Sequence, residues 1–150
     1  MTLENIKELM PNIEYKQMIY QPEKIFEVLC QGKYEDYQFY IMNLGTHPTA
    51  YIEVPITNKL FGKTYDEIYE MGVDIDVHGG LTYSRNHLFG GEKYKWFIGW
   101  DYAHAGDYAG YSEKYPSLSR LSIYDKKWTT EEIFDDVVKA IHQIKKEENK

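Results

Sequence analysis

A single cysteine, Cys30, in 150 residues rules out an intrachain disulfide and any thiolate metal cluster, and it fits a reducing compartment. Basic clustering is missing too. The chain carries 24 acidic and 17 basic residues for a net charge of -7. Pairs such as Lys126-Lys127 and Lys145-Lys146 are too small to displace counterions from a phosphate backbone, so nucleic acid is not an expected partner. DNA mimicry is not expected either, because the acidic runs stop at pairs such as Asp135-Asp136. No apolar run approaches the roughly 18 residues of a membrane span, and the first residues lack the basic-then-apolar pattern of a secretory signal. The expectation is a soluble cytoplasmic protein with no membrane partner. Familiar catalytic signatures are absent as well: there is no Gly-x-Ser-x-Gly elbow, no phosphate-cradling P-loop and no dinucleotide fingerprint.

What is present begins with a length that suits one domain, residues 1–150, large enough to bury a core without disulfide or metal. The aromatic share of 16%, with 15 tyrosines, is high. A tyrosine buries its ring while its hydroxyl still seeks a partner, so these residues serve core, pocket wall or interface equally.

Leu3, Ile6, Leu9 and Met10 recur at helical spacing behind Thr2, with Pro11 as a stop, and predict a short first helix. Ile13 to Tyr20 reads as an extended segment. Pro22 at a first helical position, a stripe of Ile25, Phe26 and Leu29, and Gly32 as a stop predict a second helix, with Cys30 a buried apolar group beside the stripe. Two aromatic and β-branched runs, Tyr34 to Leu44 and Thr49 to Val54, flank Gly45-Thr46-His47-Pro48 and predict a hairpin with His47 exposed in its turn. Tyr65 to Met71, closed by Gly72, predicts another short helix. Val73 to His78 alternates strictly, which predicts a strand with Val73, Ile75 and Val77 on one face and Asp74, Asp76 and His78 on the other. Leu81 to Ser84 continues the sheet, and Arg85 to Lys93 is a loop turning at Gly90-Gly91. In the strand Lys95 to Asp101, Trp96, Ile98 and Trp100 oppose Phe97, Gly99 and Asp101. An ordered loop follows from Tyr102, then an irregular connection from Pro116 to Lys127.

Thr129 and Glu132 form a capping box ahead of Ile133, Phe134, Val137, Val138, Ile141 and Ile144, which recur as one apolar stripe. His142 stands at its solvated edge, and Lys145 to Lys150 reads as a frayed tail. The pattern predicts an α+β fold: a mostly antiparallel sheet with a C-terminal amphipathic helix and two or three short helices packed on it.

Chemistry concentrates between Val77 and Asp107. His78, Asp101, His104 and Asp107 are residue types that hold a divalent metal, and a loop could bring them together to activate a water. A metal-free acid–base site on His78 with Asp76 or Asp101 is a second reading, with His104 the further catalytic candidate. The third is ligand binding. A planar, nucleotide-like small molecule could stack on Trp100, Tyr83 or Tyr102 while His78, Thr82, Asp101 and Asp107 bond its polar edge and Arg85, Lys93 or Lys95 meets a phosphate. The plain alternative is that Asp101 and His104 fasten the loop and His78 donates to Asp76 or a backbone carbonyl. Sequence leaves a homo-oligomer open.

The segments Phe61-Gly62-Lys63-Thr64-Tyr65-Asp66, Asp76-Val77-His78-Gly79-Gly80-Leu81-Thr82-Tyr83-Ser84 and Trp96-Phe97-Ile98-Gly99-Trp100-Asp101-Tyr102-Ala103-His104-Ala105-Gly106-Asp107 resemble a group of small proteins encoded by phages and prophages. The likeness covers Tyr51 to Asp107 and the C-terminal helix. It departs at Asn58-Lys59, where the group has His-Pro, and at Tyr102, where it has Cys. What the resemblance implies is a viral accessory protein in the cytoplasm of a bacterial host, sequestering or cleaving a nucleotide-derived immune signal. Sequestration leads; a metal-dependent hydrolase or phosphodiesterase, and a protein inhibitor of a host factor, are the alternatives.

Overall fold

The computed structural model describes residues 2–21, 26–88, 94–110 and 124–148. Five strands form one antiparallel sheet in the order β1-β2-β3-β5-β4: β1 Glu27–Tyr34, β2 Tyr37–Asn43, β3 Pro48–Glu53, β4 Tyr83–Arg85 and β5 Phe97–Asp101. Among the described residues three helices accompany it: α1 Leu3–Leu9, α2 Tyr65–Glu70 and α3 Thr130–Lys145. The fold is α+β, as the sequence pattern predicts. Among the described residues no helix is long and apolar enough to cross a membrane.

Each helix starts where a threonine can cap it. Thr2, Thr64 and Thr129 all accept from the N3 backbone N–H and receive the N3 side chain in return, which satisfies otherwise orphaned donors of the first turn. Helix α3 then lays Ile133, Phe134, Val137, Ala140, Ile141 and Ile144, all fully buried, against the sheet face built by Phe39, Ile41, Ala50, Ile52, Ile98 and Trp100. Burial of one such side chain is worth about 1.5–3 kcal/mol, so this contact dominates the stability of the fold.

The helix expected from Pro22 to Gly32 is strand β1 where the chain is described, while Pro22 and Ile25 lie outside the described residues. A bulge explains the misreading. The register of β1 on β2 shifts between Val28 and Cys30, so the consecutive Leu29 and Cys30 are both 1% exposed, which mimics a helical stripe. Burial pushes the Cys30 thiol up to about 12, in keeping with an inert apolar role. The expected hairpin is present as β2 and β3.

Val73 to His78 keeps its predicted alternation, with Ile75 and Val77 buried and Asp74 and Asp76 exposed, yet it pairs with no strand among the described residues. It runs along α3 instead, where Asp76 N–H donates to Gln143 Oε1 at 2.8 Å and Lys139 reaches Asp76 at 3.4 Å. The expected fray at the C-terminus is also corrected. Glu147 is 6% exposed, Glu148 bridges to Asn58, and Tyr37 donates to the Glu148 carboxylate. Gly90-Gly91, Lys93, most of Pro116 to Lys127 and the last two residues lie outside the described residues.

Candidate functional site

Four of the residues singled out from sequence do come together, as two interleaved pairs. His78 follows the unpaired segment along α3 and enters a turn at Gly79 and Gly80, both in the left-handed region at φ 70° and 79°. Gly80 N–H donates to Val77 O at 2.9 Å, and Leu81 N–H donates to the Tyr69 hydroxyl at 3.0 Å, fixing that turn on α2. Asp101 closes β5. His104 and Asp107 follow in a tight loop in which Asp107 N–H donates to His104 O at 2.9 Å.

Asp107 is the anchor. Its carboxylate accepts from His78 Nε2 at 2.7 Å, from His104 N–H at 2.9 Å and from Trp128 Nε1 at 2.8 Å, while its side chain is only 3% exposed. Burial alone would raise its pKa, but the three donors and the His78 charge outweigh it and hold the carboxyl below the usual aspartate range. His78 is clamped between rings. It stacks on Tyr102 with centroids 5.0 Å apart and planes 3° from parallel, and it tilts against Trp128 at 4.7 Å.

The second pair is looser. His104 Nε2 lies 3.3 Å from Asp101 Oδ1, close enough for charge attraction, but the nitrogen is buried and out of line for a hydrogen bond. Asp101 is oriented by other donors, Thr82 Oγ1 at 3.1 Å and Ala103 N–H at 3.1 Å. The two imidazoles meet edge to face, 5.5 Å between centroids. Neither Nδ1 is engaged by a hydrogen bond among the described residues, and the His78 and His104 side chains keep 25% and 34% of their surface exposed.

The remaining candidates take other positions. Trp100 and Tyr102, expected as ligand-stacking walls, are 1% and 0% exposed and support the site from behind. Trp100 Nε1 donates to the Tyr102 hydroxyl at 2.9 Å, which itself donates to Asp136 Oδ2 at 2.7 Å. Burial first, and then the Asp136 carboxylate, push the Tyr102 phenol far above its ordinary pKa. Tyr83 and Arg85 occupy β4 on the sheet face opposite α3, with Tyr83 against Tyr51 and the Arg85 guanidinium 5.9 Å from the Tyr83 ring centroid. His78 does not pair with Asp76, the partner suggested by their shared face.

Among the described residues, no three His, Cys, Asp or Glu side chains are grouped to hold a metal ion. His78 is hydrogen-bonded to Asp107, and Asp101 is held by Thr82 and Ala103 with His104 beside it, so the expected metal set of His78, Asp101, His104 and Asp107 is not arranged as one.

Three contributors were not legible as site residues. Trp128 reads as the residue before a helix cap, yet its indole bonds Asp107 and faces His78; an aromatic just ahead of a capping box is the only sequence signal for it. Tyr20 holds Trp128, accepting from its N–H at 2.9 Å, and burial pushes its phenol up to about 12. His47 is half-buried rather than an exposed turn residue. Desolvation lowers its pKa, against the pull of Asp101 and Asp107 and with the repulsion of His104, which puts the β2–β3 turn beside the site.

A separate open groove of about 710 Å³ runs beside β1, lined by Lys7, Ile13, Tyr15, Lys16, Leu29 and other residues, none of them His or Asp. The candidate site lies instead at the imidazole pair, where His78 is held by the buried Asp107. No family model, characterised protein or solved structure matches the chain.

Proposed function

We propose that the protein binds a nucleotide-like small molecule at the His78–His104 centre and holds it. One observation carries this reading: each imidazole turns Nε2 to a carboxylate and leaves its Nδ1 edge free of protein hydrogen bonds among the described residues. A hydrogen-bonding edge fixed from behind by a buried acid and two rings is pre-organised, so a ligand need not bear the entropy of ordering it. Asp101 and Thr82 extend the polar rim. In the setting that the phage resemblance implies, the protein would keep a nucleotide-derived immune signal from its host receptor.

A thermal-shift screen of nucleotides and cyclic nucleotides tests this. A ligand at a hundred times its Kd raises apparent stability by about 2.7 kcal/mol, a shift easily read for a domain of this size. The shift should vanish in His78→Gln. Ligand recovered intact after heat denaturation supports holding, whereas recovery of a cleaved product assigns the site to hydrolysis and overturns sequestration.

A further inference from the structure

The two carboxylates behind the imidazoles bear on which end of a ligand the site can face, a step that rests on the binding reading above. The Asp107 carboxylate accepts hydrogen bonds and donates none, so His78 Nε2, 2.7 Å from it, carries the ring hydrogen. In the uncharged form of the ring, Nδ1 is then the nitrogen that carries the lone pair. At His104 the same tautomer follows from repulsion. A lone pair on Nε2, buried 3.3 Å from Asp101 Oδ1, would oppose a carboxylate lone pair, whereas an N–H there is attracted.

The surrounding charges point the same way. Asp101 and Asp107 are anionic, and burial favours the neutral form of His47 and of the Tyr102 phenol. Among the described residues, Lys126 lies 3.9 Å from the Trp128 ring centroid and pairs with Glu132 at 2.6 Å. A phosphate entering here would meet two carboxylates and two lone pairs. Hydroxyl or amino hydrogens would meet acceptors.

We infer that the site takes the uncharged donor face of a nucleoside, its sugar hydroxyls or base amino group, and leaves any phosphate outside. The phosphate then contributes little affinity. The geometry of Tyr102 and Trp128 fixes the His78 ring plane, so the direction of its lone pair is set before the ligand arrives.

Isothermal titration at about pH 8 with adenosine, guanosine, cytidine and uridine, with their 5′-monophosphates and with inorganic phosphate, decides this. The best nucleoside should bind within about threefold of its monophosphate, and inorganic phosphate should not displace it. His104→Phe keeps a ring and removes the acceptor; it should weaken nucleoside binding by about tenfold or more, and His78→Phe should do the same. A monophosphate about tenfold tighter than its nucleoside at about pH 8, or displacement by inorganic phosphate, would overturn the inference while leaving the binding reading intact. Binding of none of these probes would sink both.

Discussion

Replacing Gly79 with alanine places a methyl group where the His104 ring already stands. A Cβ at position 79 would lie 2.2 Å from His104 Nε2 and 2.4 Å from its Cδ2, and the residue sits at φ 70°, where an L side chain is strained. Two costs follow. The left-handed backbone costs about 1–2 kcal/mol, partly offset by the reduced freedom of the unfolded chain, which returns about 0.4–1 kcal/mol. Overlap with a ring held beside Asp101 adds about 1–3 kcal/mol. The sum is a destabilisation of about 2–4 kcal/mol, read as a lowered midpoint in urea at unchanged m-value.

Gly72 supplies the control. It closes α2 at φ 79° with nothing within 4 Å of a built Cβ, so Gly72→Ala should show the backbone cost alone, about 1 kcal/mol. Removing the ring should also remove the clash. Gly79→Ala in a His104→Ala background should cost no more than Gly72→Ala in the wild type. If Gly79→Ala and Gly72→Ala are equally destabilising with His104 in place, the contact between the glycine turn and the histidine carries no energy and the reasoning fails.

Two further outcomes are expected. The β1–β2 turn places Glu35 and Asp36 at φ 47° and 70° without a glycine, so Asp36→Gly should stabilise the protein by about 0.5–1 kcal/mol in urea titration; a loss of stability would show that Asp36 makes contacts worth more than the strain. Acidification should weaken the fold in two windows. His47 has a lowered folded pKa, so the unfolded chain takes its proton first, and stability falls as pH drops below the ordinary histidine value of 6.5. Asp107 also has a lowered folded pKa, so its contribution is present above 3.8 and is lost as pH falls below that value. His47→Gln should flatten the first window and Asp107→Asn the second in denaturation at stepped pH; an unchanged slope in either variant refutes that assignment.

Much of the fold was legible because its determinants are local. The cap threonines at 2 and 129, the apolar stripe of α3 and the hairpin runs around Gly45 to Pro48 all signal their structure within a few residues. Where local and tertiary demands diverged, the reading failed. The bulge at Val28 and Cys30 turned two neighbours inward together and counterfeited a helix, and Val73 to His78 alternates like a strand but satisfies Asp76 N–H on Gln143 of α3. A side chain 67 residues away cannot be read from a six-residue pattern.

For the site, the sequence by itself determined the cast: imidazoles and carboxylates at 78, 101, 104 and 107, with glycines at 79 and 80 that alone tolerate the turn required there. Only the tertiary structure decided the pairing. It joined His78 to Asp107 rather than to Asp76, buried Trp100 and Tyr102 behind the site, and brought in Trp128, Tyr20 and His47 from distant segments. The physical reason is that residue types and backbone freedoms are written position by position. Which donor meets which acceptor depends instead on how α3, β5 and the glycine turn pack together, and packing is set by the buried apolar faces of the whole chain.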